Sequence, residues 1–308
     1  MIALWGHIVG SAIIRLLPRR VWYRLAAALL PVALLGWPGH VERAAGNMRR
    51  VLGPAAPERE VRRRVREAFG NYARYMIDLL WMSTSTVADR EAAVTLVGWE
   101  HIDAALARGK GMLLVTGHVG NWDLPAAVMA GRGYPVNVIV ERLEPPAWNE
   151  RVQGIREHVG LRAIPMETGG RDLYAALRRN ETVAVVFDRP LTAGGVPVMF
   201  FGAETRVPEG IARLALRTGA AVVGAVGLRP AGGGSGHIVG EISPALVAVP
   251  TGDRHHDVQV LTQAMMTWLE ARVRQHPSQW FMFRDFWPAA SPEANGRAPG
   301  NHSVRERV

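Results

Sequence analysis

The 308-residue chain has no cysteine. That excludes disulfides, thiolate metal sites and a cysteine nucleophile, and it agrees with a reducing compartment. Lysine is almost missing as well: Lys110 is the only one, so arginine carries the basic charge. Near the start, residues 1–14 and 25–40 are uncharged, yet neither run reaches the roughly 18–20 residues that a helix needs to cross a bilayer. The first has no basic lead and no small-residue cleavage site, so it does not read as a signal peptide. A P-loop and a dinucleotide G-x-G-x-x-G after a strand are both absent. The glycine run at 232–236 has His237 where a G-x-S-x-G elbow needs its last glycine, and it sits between two strands.

A chain with 48% hydrophobic and 20% charged residues folds, and at this length it builds one large α/β domain or two small ones. The charge is lopsided. Residues 1–75 hold thirteen arginines against four acidic residues, which is the whole formal surplus of +9. Such a basic segment has nucleic acid as one possible partner, but here Trp5, Trp22 and Trp37 lie in or beside the apolar runs. Short apolar helices flanked by Trp and Arg fit a segment lying in the membrane interface against anionic lipid, peripheral rather than spanning. The plainer alternative is a helical cap on the protein's own core. No nucleic-acid partner is expected.

Hydrophobic periodicity gives helices over 4–17 and 21–35, with Pro31 kinking the second or starting another, then over 41–51 and 58–80. After a short strand at 94–97 and a helix at 101–107, strands and helices alternate. Strands are expected at 112–116, 136–140, 162–164, 182–187, 198–201, 221–228 and 237–242. The helices between and after them cover 121–130, 146–159, 171–179, 209–218 and 257–275. This is an α/β pattern: a largely parallel or mixed central sheet with helices on both faces, the strands at 221–228 and 237–242 forming an antiparallel hairpin. It divides the chain into a helical, basic and apolar segment (1–85), an α/β domain (86–288) and a tail (289–308) whose composition predicts disorder.

One stretch stands out, Met112-Leu-Leu-Val-Thr-Gly-His118-Val-Gly-Asn-Trp-Asp123. A buried strand breaks at Gly117, presents His118, breaks again at Gly120 and starts a helix near Asn121. Residues five apart point about 140° from each other on one helix. With His118 in the turn and Asp123 in the first helical turn, the carboxylate can instead bend back to the imidazole and leave the other nitrogen as a base. The alternative is a histidine that merely caps a strand, with Asn121 or Asp123 capping the helix. Two further strands end in charge, Glu141-Arg142 and Asp188-Arg189, and ligands of open α/β sheets sit at strand carboxyl ends. Asp188 can support the imidazole or bind the acceptor, and Arg142 or Arg189 can hold phosphate. His255-His256-Asp257 reads as a polar turn with Asp257 as helix cap rather than as a metal site.

The stretch Gly117-His118-Val-Gly-Asn-Trp-Asp123 resembles the HxxxxD block of the lysophospholipid-type acyltransferases, in the branch of the late lipid A acyltransferases and the phosphatidylinositol mannoside acyltransferases. Further blocks follow in order: Val140-Glu-Arg-Leu143, Ile155-Arg-Glu-His-Val-Gly160, Asp188-Arg-Pro-Leu-Thr192, Phe200-Phe-Gly202, Pro208-Glu-Gly210 and His276-Pro-Ser-Gln-Trp280. The chain departs at Asp188, where the mannoside branch carries glutamate, so the sequence leaves the reach of this carboxylate to His118 open. The resemblance implies a glycerol-3-phosphate-acyltransferase-like fold. It also implies transfer of an acyl chain from acyl-CoA or acyl carrier protein, as co-substrate, to a lipid hydroxyl at the cytoplasmic face of the inner membrane, without a metal or other cofactor. His118 is then the general base, Asp123 its orienting partner and Asp188 an assistant, with Glu141 and Arg156 shaping the site. Backbone N–H groups near Asn121 are the expected oxyanion donors.

Overall fold

The computed structural model describes residues 17–191, 194–230, 236–247 and 251–287. The helix expected over 4–17, except its last residue, and the tail at 289–308 lie outside the described residues.

Three helices come first: α1 (Arg19–Leu35), α2 (Pro38–Leu52) and α3 (Glu58–Met82). Pro31 neither ends nor restarts α1, which continues to Leu35. The chain turns across Gly36 and Trp37, Pro38 opens α2 at a position that needs no backbone N–H, and α2 leaves at 101° to α1. Among the described residues no single helix is long and apolar enough to cross a membrane. A short α4 (Val87–Ala93), opened by a capping box between Thr86 and Asp89, leads into β1 (Val94–Val97) and α5 (Trp99–Leu106).

The alternating part follows: β2 (Met112–Thr116), α6 (Asp123–Gly131), β3 (Val136–Val140), α7 (Pro146–His158), β4 (Leu161–Pro165), α8 (Gly170–Arg178) and β5 (Thr182–Val186). After it come β6 (Val196–Phe200), β7 (Ala203–Val207), α9 (Gly210–Thr218), β8 (Ala221–Leu228), β9 (Ile238–Leu246) and α10 (Arg254–Gln275). Seven strands form one sheet in the order β1-β9-β8-β2-β5-β3-β4. Its pairings are parallel except for β8 with β9, the expected hairpin. The segment expected as a lone strand at 198–201 is β6, paired with β7 in a separate antiparallel ribbon.

Successive residues of a strand face opposite sides, and both sides of this sheet are covered. Leu113 and Val115 of β2 pack with α2, α3, α8, α9 and α10. Met112 and Leu114 pack with α5, α6 and α7. Val61, Val65 and Phe69 of α3 belong to the same buried cluster as Leu113, so the N-terminal helices complete the core of the sheet.

Candidate active site

The central pair of strands builds the site. β2 and β5 run parallel with Thr116 opposite Val186, and the ladder extends through the bond from Phe187 N–H to Thr116 O. Residues two beyond each strand end therefore come together. These are His118 and Asp188. The imidazole Nδ1 lies 2.7 Å from Asp188 Oδ1, and the backbone N–H of His118 donates to both carboxylate oxygens at 3.0 Å. The Trp280 indole N–H donates to Asp188 Oδ2 at 3.0 Å. The carboxylate is fully buried, whereas the imidazole is 38% exposed. Burial alone would raise the pKa of Asp188. The charge of His118 and the hydrogen bonds from its ring, Trp280 and the His118 N–H outweigh burial and hold it below the ordinary value. A carboxylate accepting at Nδ1 favours the tautomer whose N–H sits there, which leaves Nε2 as the nitrogen that can accept. The shorter Asp thus reaches His118, the question its sequence left open.

The turn is held from several sides. His118 O accepts from Phe281 N–H, Gly120 N–H donates to Gln279 O and Asn121 N–H to Gly227 O. Gly120 has φ +64, and a Cβ there would lie 2.0 Å from Gly227 O, so this position requires glycine. Asn121 Oδ1 caps α6 by accepting from Leu124 N–H. The helix begins at Asp123 rather than Asn121. Val119, Gly120, Asn121 and Leu124 N–H all have partners within the protein.

Asp123 does not bend back to His118, and this corrects the expectation from spacing. Its carboxylate accepts from Arg156 Nε at 2.8 Å and Nη2 at 3.2 Å, and from the Tyr75 hydroxyl at 2.7 Å. Placed at the helix start, it turns toward the one guanidinium that α7 buries against it. Burial opposes the charge on Arg156, but Asp123 more than compensates and raises its pKa. Burial and then Asp123 push the Tyr75 phenol well above its usual range. The two acids singled out by the sequence therefore differ: Asp188 meets the histidine, and Asp123 meets an arginine.

Glu141 and Arg189, at the ends of neighbouring strands β3 and β5, form an ion pair at the rim. Arg142 stands exposed beside Glu141. The polar turn before α10 is capped by Asp253, which accepts from His255 and His256 N–H. Asp257, expected as that cap, instead holds Thr251. Tyr75 and Trp280 are the contacts that the sequence did not assign: Tyr75 reads only as an inward residue of a helix, and Trp280 only as part of the last shared block.

Behind the turn a narrow apolar pocket runs between α6 and the sheet. Leu114, Val138, Ala184, Ala225, Met129 and Ile242 line it, and Asn121, Trp122, Asp123 and Arg156 stand at one side. The Trp122 ring, 5.6 Å from that of His118 and edge-to-face with it, joins the pocket to the histidine.

An α/β sheet that pairs a buried carboxylate with a partly exposed histidine has the geometry of an enzyme working by general acid–base catalysis. The family described as bacterial lipid A biosynthesis acyltransferase matches residues 1–288, and the chain belongs to it; the protein is an acyltransferase. The phosphatidylinositol mannoside acyltransferases of Mycobacterium tuberculosis strains CDC 1551 and H37Rv are each 32% identical to it over 302 residues, covering 94% of this chain and 90% of theirs. The enzyme of that name from Mycolicibacterium smegmatis is 27% identical over 291 residues, covering 92% of this chain and 91% of its own.

Proposed function

We propose that the protein transfers a fatty acyl chain from acyl-CoA or acyl carrier protein to a hydroxyl of a membrane glycolipid of the phosphatidylinositol mannoside kind. The observation that carries this reading is the 2.7 Å pairing of His118 Nδ1 with buried Asp188, in a histidine whose side chain is partly exposed. Nε2 takes the proton of the acceptor hydroxyl as its oxygen attacks the thioester carbon. Asp188 stabilises the imidazolium that forms. The first amides of α6 face the developing oxyanion. The C–S bond then breaks, and the leaving thiolate takes the proton back from the imidazolium. Acid and base roles thus rest on one histidine, and the ester product retains the acyl carbon.

The apolar pocket supplies the wall for the acyl chain, through side chains such as Leu114, Val138 and Met129. Arg142 and the Glu141–Arg189 pair at the rim suit a phosphorylated head group or donor. Asp123 and Arg156 fix the floor of the site. Membrane attachment is peripheral, through the outer face of α1 and its end, where Leu25, Leu29, Val32, Leu35 and Trp37 are exposed and Arg20 and Arg24 are exposed as well. Insertion of such a face with basic neighbours favours an anionic surface. Acyl thioesters put it on the cytoplasmic side.

The test uses labelled palmitoyl-CoA and vesicles holding mannosylated phosphatidylinositol, with products separated into glycolipid ester and free acid. Wild type yields labelled ester and His118→Ala yields none. Free acid alone, made by wild type with water as acceptor, overturns the transfer reading.

A further inference from the structure

The His118 turn is also held from below, by a carboxylate that the transfer chemistry does not use. Asp78 is completely buried, one helical turn beyond Tyr75 on α3. Four groups converge on it: Arg19 Nη1 at 3.3 Å, the Tyr23 hydroxyl, the Arg229 guanidinium and Asn121 Nδ2 at 3.0 Å. Two routes lead from Asp78 to the flanks of His118. Asn121, held by its side-chain amide, caps α6 with its Oδ1 and fixes the backbone three residues after the histidine. Arg229 exchanges two backbone bonds with the side chain of Gln279, at 2.9 and 2.8 Å, and Gln279 O accepts from Gly120 N–H at 2.8 Å. Arg19 and Tyr23 belong to α1, the helix whose other face is the exposed apolar one.

We infer that Asp78 is a positioning residue for acyl transfer, the joint through which α1 holds the His118 turn in its working geometry. The chemistry requires such a joint. A reacting hydroxyl, Nε2 and the thioester carbon must align closely, and a displacement near 1 Å costs about 10²-fold in rate. The turn itself contains two glycines and makes no helix or strand of its own, so its rigidity comes from groups outside it. Asp78 gathers bonds from α1, the end of β8 and the start of α6 on two oxygens. Helix α3 therefore serves the turn twice on one face, through Tyr75 to Asp123 and through Asp78 to Asn121. Helix α1 becomes part of the catalytic architecture as well as its outer surface.

The inference rests on the proposed transfer reaction only for its kinetic readout. The experiment compares full-length wild type, Asp78→Asn and Tyr23→Phe. It measures kcat and KM for palmitoyl-CoA with the same vesicles, and hydrogen exchange at the amides of 117–124 against those of β3 and β4. Asp78→Asn is expected to lower kcat about 10²-fold with KM unchanged. Exchange at Gly120, Asn121 and Leu124 should accelerate while β3 and β4 stay protected. Tyr23→Phe keeps the carboxylate and loses one hydrogen bond to it; it moves both readouts in the same direction, with kcat down about fivefold. If Asp78→Asn does not fold, Tyr23→Phe carries the test. Wild-type kcat together with wild-type protection in the turn overturns the inference, and so does protection lost evenly across the sheet in Tyr23→Phe. Should wild type transfer no acyl group, the transfer reading fails and exchange alone decides the role of Asp78.

Discussion

Strand β5 has a buried acid at each end, and the two behave differently. Glu181, just before the strand, is met by Arg179 at 2.8 Å, Arg162 at 3.4 Å and Asn137 at 2.9 Å. Each of those groups meets Glu181 through an N–H donor and none is a base. Asp188, just after the strand, is met by Trp280 and by His118, whose ring is partly exposed. Burial and low pKa are common to both acids, so neither property marks the site. The mark is a titratable partner with one side facing outward. Asp123, bonded to Arg156 and Tyr75, resembles Glu181 in this respect more than Asp188.

The largest expected effect breaks the Asp188 end. His118→Ala should lower kcat for ester formation by about 10²–10⁴-fold, the range a general base supplies, and should also lower the thermal midpoint, because buried Asp188 loses its ring partner and keeps only the Trp280 and backbone donors. Asp188→Asn should fall in the same range, since it removes the acceptor that fixes the tautomer. Steady-state kinetics and thermal denaturation of both variants check this.

Asp123→Asn should act mainly on stability. It leaves the Arg156 guanidinium, 13% exposed, without its charge partner, a loss of about 3–5 kcal/mol for a buried pair. Thermal denaturation reads it, and a kcat loss equal to that of His118→Ala at unchanged stability would contradict the division of roles drawn between the two acids.

Acid titration sharpens the comparison further. The folded pKa of Asp188 lies below its unfolded value of 3.8, so the stability it contributes is complete above that value and is lost as pH falls through the folded one. Thermal midpoints measured from pH 6 to pH 3 should drop more steeply in wild type than in Asp188→Asn. The smallest effect belongs to the other end of the strand. Glu181→Gln loses pairing to arginines that are 55% and 63% exposed, which costs about 1 kcal/mol or less, and ester formation should stay at the wild-type rate.

The alternation of strands and helices, the β8–β9 hairpin and the charged strand ends were all legible in the sequence, because hydrophobic periodicity and glycine placement are local signals. The partner of His118 was legible only as one of two candidates, Asp188 and Asp123. It depends on the register of β2 against β5, strands about seventy residues apart, and only the Thr116–Val186 pairing sets residues 118 and 188 side by side. Spacing favoured Asp123 because it is near in sequence, but α6 starts at that residue and α7 brings Arg156 to it. The strand β7 escaped notice since Ala203-Glu-Thr-Arg-Val207 has few apolar residues and finds its place only against β6. Asp78 gave no local signal at all: one acid in an arginine-rich helix becomes a junction only when four distant groups reach it.

The most direct test of the central claim is a double-mutant cycle on ester formation with His118→Ala, Asp188→Asn and the two combined. If the pair acts as one unit, with Asp188 working only through the imidazole, the double variant loses no more activity than His118→Ala alone. If the two losses multiply, Asp188 acts independently of His118, and the account of the site given by their 2.7 Å contact is wrong.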